Sequence, residues 1–167
     1  MVNELGHFAL TLAFFVALLQ STVPLIGAHI NHYGLMAFAR LSAVTQFFLL
    51  TGSFFALIHA FVTSDFTLRL VVLNSHSLKP MLYKVSGTWG NHEGSMLLWV
   101  LILSLFGACA AWFGQNLTDS FRARALAVQG AIGFAFIAFI LFTSNPFERM
   151  AFPPFDGQDL NPLLQDP

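Results

Sequence analysis

Charge is scarce in this 167-residue chain: seven Lys plus Arg and eight Asp plus Glu make up 9% of it and leave a net charge of −1. Soluble domains carry about a quarter of their residues charged, so the scarcity excludes an ordinary water-facing globule. The lack of a basic excess also excludes a DNA or RNA reader. Cysteine is nearly missing: Cys109 stands alone, which excludes a disulfide framework and any CxxC redox or zinc centre within the sequence. No Ser/His/Asp triad, phosphate loop or carboxylate pair of suitable spacing occurs, and the two-residue alternation of a membrane barrel is missing. What is abundant is apolar bulk, with 56% hydrophobic residues, 20 Phe and a mean hydropathy of +0.71.

The few charges divide the chain. Charge-free intervals run from Glu4 to Arg40, Arg40 to Asp65, Glu93 to Asp119 and Arg124 to Glu148. Each can hold the roughly 20 apolar residues needed to cross a hydrocarbon core of about 30 Å. Membrane spans must pair their own backbone groups, which predicts four helices at about 5–26, 41–62, 96–113 and 126–142. The expected fold is therefore an all-α polytopic membrane protein forming one module over 1–167. It has a long outer loop at 63–95 between the second and third spans and an ordered outer tail at 143–167. The first span is read as retained, because Glu4 stands where a secretion signal needs positive charge and its apolar core is too long.

Small residues at Ala9, Ala13 and Ala17, at Gly107 and Ala111, and at Ala131 and Ala135 suggest helix-packing faces. Gln20, Thr45, Gln46 and Ser104 are expected to hydrogen-bond between helices or back to a carbonyl, and Pro24 to end or kink the first span. Cys109, among Gly and Ala, reads as an inert apolar residue. Charge counting does not orient the chain: an outside N-terminus puts Arg40, Arg122 and Arg124 inside and Arg69, Lys79, Lys84 and Arg149 outside. The denser inner charges, in short loops, favour N-outside.

The long loop carries the chemistry. Phe66, Leu68, Leu70 and Val72 share one face under a two-residue period, which fits a short extended segment at the membrane surface and equally a surface-seated connector. Lys79-Pro80-Met81-Leu82-Tyr83-Lys84 follows, with Pro80 suited to a first helical turn and lysines able to snorkel to lipid phosphates. Directly before the third span comes Gly87-Thr88-Trp89-Gly90-Asn91-His92-Glu93-Gly94-Ser95. Its glycines permit tight turns, Trp89 suits an interface anchor, and Asn91, His92 and Glu93 gather at a helix N-terminus. A polar helix entrance and a ligand site both fit this composition.

The string from Thr88 to Ser95, continued by Met96-Leu97-Leu98-Trp99-Val100, resembles the CcmF-type cytochrome c haem lyase family. So do Leu141-Phe142-Thr143-Ser144-Asn145-Pro146-Phe147, Asp65-Phe66-Thr67 with Asn74, and Gly157-Gln158-Asp159-Leu160-Asn161-Pro162-Leu163-Leu164-Gln165-Asp166-Pro167. The resemblance implies a bacterial inner-membrane protein whose N-terminus and tail are periplasmic. It implies receipt of haem from a periplasmic haem chaperone and its thioether attachment to a CxxCH apocytochrome c, alongside a thiol-handling apocytochrome partner. The family's tryptophan-rich motif and haem-ligating histidines are not in this sequence. The chain thus resembles the first quarter of a full member, either as a split gene or as a piece of a longer one. Haem is expected to be bound mainly by that remainder, with these helices packed against it and against membrane lipid.

Under this orientation His7, His59, His76 and His92 lie near the outer face and His29 and His32 in the inner loop. None matches a family ligand position. Trp89, Gly90, Asn91, His92 and Glu93 are the candidate residues near the haem site, with no catalytic residue and no metal site assigned. Two further function classes compete with this one. An ion or proton transporter is disfavoured because all fifteen charges fall outside the expected hydrocarbon cores. A structural scaffold subunit of a membrane complex, without its own haem role, is the alternative to a haem lyase component. The tail prolines and Phe147, Phe152, Phe155, Leu160, Leu163 and Leu164 suggest docking, while Asp156, Asp159 and Asp166 fit solvation of the tail better than contact with a basic partner surface.

Overall fold

A computed structural model describes residues 1–158 of the chain. Leu160, Pro162, Leu163, Leu164, Pro167, Asp159 and Asp166 lie outside the described residues. Four helices are long and apolar enough to cross a membrane: α1 (Val2–His29), α2 (Tyr33–Val62), α5 (His92–Phe113) and α6 (Asp119–Thr143). Two short helices, α3 (Arg69–Asn74) and α4 (Met81–Gly87), lie between α2 and α5. The spans extend beyond the expected limits, and at α2 and α5 side-chain caps rather than charges set where they begin. His32 Nδ1 accepts from the Leu35 N–H at 3.3 Å to start α2, so Arg40 falls inside that helix. Likewise Asn91 starts α5 and brings His92 and Glu93 into its first turn. Pro24 does not end α1, which continues to His29 with Pro24 buried inside it.

One face of α1 organises the bundle. Gly6, Leu10, Ala13, Ala17, Gln20, Pro24 and Gly27 are all buried, and α1 packs against both α2 and α6. The contacts are close enough that side-chain volume decides them. A Cβ on Gly6 would lie 2.6 Å from Cβ of Ala56 in α2 and 2.8 Å from the Phe147 ring. At the α1–α2 turn a Cβ on Gly27 would lie 2.6 Å from Leu35 Cβ, and on Gly130 of α6 it would lie 2.9 Å from Gln20 Cγ. Gly107 and Ala111 are buried on α5, as their spacing suggests. Ala131 and Ala135 are exposed instead: the packing face of α6 runs through Ala123, Leu126, Ala127, Gly130, Gly133, Ile137 and Ile140. Gly130 and Gly133, about one helical turn apart, allow closer approach than alanine, and they set the face.

Amides join the helices where lipid offers no substitute. Gln20 Nε2 donates to the Leu126 carbonyl at 2.9 Å and to Gln129 Oε1 at 2.8 Å, and Gln129 Nε2 donates to the Leu103 carbonyl of α5 at 3.1 Å. The chain α1–α6–α5 is thereby linked through two side chains. Ser104 bonds back to the Leu101 carbonyl at 2.7 Å. Gln46, 1% exposed on α2, has no partner for either amide atom among the described residues, against the expected bond.

An extended segment at 66–72 does not form. Leu70, Val71 and Val72 are consecutive and all buried, which a helix turn under a covering strap can satisfy and alternation cannot. Only Leu68 keeps extended pairing, in an antiparallel bridge with Arg149. Substituting Gly6→Ala should destabilise the protein by about 2 kcal/mol through overpacking. Gly52→Ala, where no atom lies within 4 Å of the new Cβ, should leave the melting temperature in detergent unchanged or slightly raised. Equal melting shifts for the two variants would contradict the close-packed face.

Candidate functional site

The start of α1, the ends of α2 and α6 and the start of α5 share one end of the bundle, where α3, α4 and residues 144–158 collect. Asp65, three residues past α2, is the hub. Its Oδ2 accepts from Asn3 Nδ2 at 2.7 Å, and its Oδ1 accepts from the Thr67 hydroxyl at 2.6 Å and the Thr67 N–H at 3.1 Å. Partial burial works to raise the Asp65 pKa. The bonds from Thr67 and Asn3 and the nearby Arg149 charge outweigh it, so the carboxyl titrates below its usual range.

Residues 144–158 form a strap over this hub. Asn145 Oδ1 accepts from the Phe147 N–H at 3.0 Å, and its Nδ2 lies 3.3 Å from His7 Nε2. Phe147 is buried against α1. The Arg69 N–H then donates to the Glu148 carbonyl at 2.9 Å, with the two side chains also ion-paired at 2.9 Å, while Arg149 pairs with Glu4 and the Met150 N–H donates to Thr67 at 3.0 Å. Asp156 does more than solvate the tail. It accepts from the Ser77 hydroxyl at 2.6 Å and the Ser77 N–H at 2.9 Å, bonds that lower its pKa. Phe152 and Phe155 are exposed.

The two loop lysines are turned inward, contrary to the expected snorkelling. Lys84 Nζ donates to Ser64 Oγ at 2.6 Å and Lys79 Nζ to the Asn74 carbonyl at 2.8 Å; both residues are under 10% exposed. Ser64 sits at φ 52°, a strained value for a non-glycine, which aims its hydroxyl region at α4. The apolar side of α4, Met81, Leu82 and Tyr83, is consequently left outward.

The five candidate residues fall together between α4 and α5. Asn91 Oδ1 accepts from the Gly94 N–H at 2.7 Å, and Nδ2 donates to the Gly87 carbonyl at 2.8 Å and the Thr88 carbonyl at 3.3 Å. This one amide therefore joins the end of α4 to the start of α5, and Gly94 is required because any Cβ there would collide with the Thr88 carbonyl. His92 is exposed with its ring edge toward Phe139, 6.1 Å between centroids. Glu93, in the first turn, makes no hydrogen bond or ion pair among the described residues and is favoured there by the helix dipole. Trp89 is half-exposed and Gly90 exposed.

The other histidines are placed apart. His7 is held by Asn145 and Phe147, and His59 opens on a groove of about 490 Å3 between α1 and α2, lined by Leu5, Gly6, Ala9 and Phe55 among others. No group of three or more His, Cys, Asp or Glu side chains gathers as a metal site among the described residues. The imidazoles of His7, His59 and His92 have separate neighbours. Asn3, Asp65, Asn145 and Arg149 were not singled out from the sequence as site-forming residues. The Asp65-Phe66-Thr67 turn pattern, in which a carboxylate caps the residue two positions on, was the available signal.

Comparison with known proteins places this arrangement. Residues 89–167 match the family model described as Cytochrome C assembly protein. The chain is 62% identical over 167 residues to the cytochrome c-type biogenesis protein ccl1 of Rhodobacter capsulatus, covering 100% of this chain and 26% of that protein. It is 46% identical over 169 residues to the cytochrome c-type biogenesis protein CcmF of Escherichia coli, again covering 26% of it. The solved structure of a cytochrome c haem lyase CcmF superposes with a TM-score of 0.81 at 25% identity, over 89% of this chain and 25% of that one. The chain belongs to the CcmF-type cytochrome c biogenesis family. It spans about a quarter of the length of these relatives.

Asp65→Ala should loosen this CcmF-type hub, costing about 2 kcal/mol through the loss of bonds to a charged acceptor. Because the folded Asp65 and Asp156 carboxyls titrate below their unfolded values, their contribution is complete above the ordinary carboxylate range. It is lost as pH falls through the lower folded values. Hydrogen exchange over 65–77 and 145–158 should therefore accelerate on acidification below about pH 4, and that acceleration should shrink in Asp65→Asn. Exchange independent of both pH and the substitution would contradict the hub.

Proposed function

We propose that this chain is a component of the cytochrome c haem lyase machinery, and that the end carrying α3, α4 and the start of α5 borders its haem and partner site. The machinery takes haem from a periplasmic haem chaperone and attaches it to CxxCH apocytochrome c with a thiol-handling partner. The observation that carries the reading is the exposed His92 beside the half-buried Glu93 at the start of α5, held by the Asn91 cap, in a chain of this family. Haem, when bound, supplies the reactive vinyl groups; the protein supplies position and electrostatics. Here Trp89 and Gly90 offer an open apolar edge, Asn91 fixes the turn, and His92 and Glu93 present a donor and a carboxylate. The remaining haem contacts come from the tryptophan-rich segment of the lyase, in the same or another chain.

We place the protein in the bacterial inner membrane with this end periplasmic. The cations here are neutralised or buried: Arg69 and Arg149 pair with Glu148 and Glu4, and Lys79 and Lys84 are turned inward. At the other end Arg40 and Arg124 have no ion pair among the described residues. The orientation is supported by Arg122 and Arg124, which cluster next to the short connection between α5 and α6, where the positive-inside rule gives Lys and Arg their weight. The scaffold alternative draws its support from Asn91, whose amide is fully engaged in holding helices together.

A triple variant Trp89→Ala, His92→Ala, Glu93→Gln in the complete lyase decides between these readings. Covalent haem on cytochrome c should fall about tenfold or more, in the range seen when supporting residues of a cofactor site are removed. The chain's abundance in the membrane should not change. Normal maturation at normal abundance would support the scaffold and contradict a site at this end.

A further inference from the structure

Two grooves at the opposite end of the bundle share one composition. One, of about 280 Å3, is lined by Ala37, Leu41 and Val44 of α2, Trp112 of α5, and Arg40. The other, of about 390 Å3, is lined by Leu25, Ile26 and His29 of α1 and by Arg124 of α6. Each combines an apolar wall with one guanidinium that lacks an ion pair among the described residues. Arg40 makes no hydrogen bond there at all, and Arg124 makes one, from Nη2 to the Ala28 carbonyl at 3.3 Å. The one acid nearby, Asp119, is taken by Arg122 at 2.7 Å.

Both guanidiniums sit at one depth. Beyond Arg40 the charge-free part of α2, 41–62, covers about 33 Å at about 1.5 Å per residue, and beyond Arg124 the rest of α6, 125–143, covers about 28 Å. Each length matches a hydrocarbon core of about 30 Å, so the two arginines lie where that core meets the headgroups of one leaflet. Trp112, in the last turn of α5, is the amphipathic residue expected at that boundary. A guanidinium there needs an anion, and its planar fork of donors matches two oxygens of a phosphodiester.

We propose that the Arg40 and Arg124 grooves each seat an anionic phospholipid, with its phosphodiester on the guanidinium and an acyl chain along the apolar wall. Charge selects this end: the arginines of the loop-bearing end already have carboxylates, so they offer no vacant fork. The inference stands whether or not the chain borders a haem site.

Native mass spectrometry tests it on the complete assembly carrying this chain, extracted from its own membrane in mild detergent. The wild type should retain phosphatidylglycerol or cardiolipin in preference to phosphatidylethanolamine. Arg40→Gln and Arg124→Gln should each lower the retained anionic-to-zwitterionic ratio by about fivefold, the scale of one arginine's contact with an anionic headgroup. Should the glutamine variants fail to assemble, Arg40→Lys and Arg124→Lys should lower the ratio by a smaller factor, because a point charge loses the bidentate fork. A wild type that retains no anionic lipid, or a ratio unaltered in the variants that assemble, overturns the proposal.

Discussion

The buried face of α1 is the constraint on which the other elements depend. Gly6, Ala13, Ala17 and Gly27 let α2 and α6 approach it closely, and Gln20 converts that approach into hydrogen bonds. Between lipid-exposed helices there is little hydrophobic drive, since the tails are as apolar as the side chains they would replace. Close contact and interhelical bonding therefore do the work that burial does in water. Gln129 extends the bond chain to α5, and Gly107 leaves the space its amide fills. With α1, α2, α5 and α6 fixed in this way, the start of α5 is held beside the end of α6, which is where His92 meets Phe139.

A second constraint acts at the loop-bearing end. Asp65 ties the start of α1 to the segment after α2, and the strap through Glu148, Arg149, Met150 and Asp156 covers α3. Inward lysines and paired arginines leave this end with little free positive charge. Its outward surface instead shows Trp89, His92 and the apolar side of α4. A rigid rim with an exposed imidazole beside a half-buried carboxylate suits a surface that meets a cofactor and other proteins. The opposite end, with its free guanidiniums, suits an anionic leaflet. The two ends thus differ in chemistry, although the raw numbers of cations at each are nearly equal.

The four spans were legible because charge-free intervals of sufficient length leave a chain in lipid little choice but helix. Their limits were not, since caps such as His32 and Asn91 let helices run past Arg40, His92 and Glu93. The buried face of α1 could be read from the spacing of its alanines. That of α6 could not, because Ala131 and Ala135 repeat at the same interval while the true face uses Gly130 and Gly133. In the loop, a two-residue pattern at 66–72 suggested a strand, but coverage by the strap buries Leu70, Val71 and Val72 in succession. The strap is a contact between residues about 80 positions apart, and local pattern carries no trace of it. For the same reason Asp156 looked like a solvated acid and Lys79 and Lys84 like lipid contacts. The Trp89–Glu93 cluster was visible in the sequence, as was the helix entrance it forms; that Asn91 spends its whole amide on that entrance was not.

The account turns on which side of the membrane the loop-bearing end occupies. Cysteine labelling in intact cells measures this directly, with Cys109→Ala as the background and Leu78→Cys or Gln115→Cys introduced singly at exposed positions of the two ends. Under this account a maleimide that reaches the periplasm but does not cross the inner membrane labels position 78, and labels position 115 only after the cells are broken. Labelling of position 115 in intact cells, with position 78 protected until lysis, would contradict it.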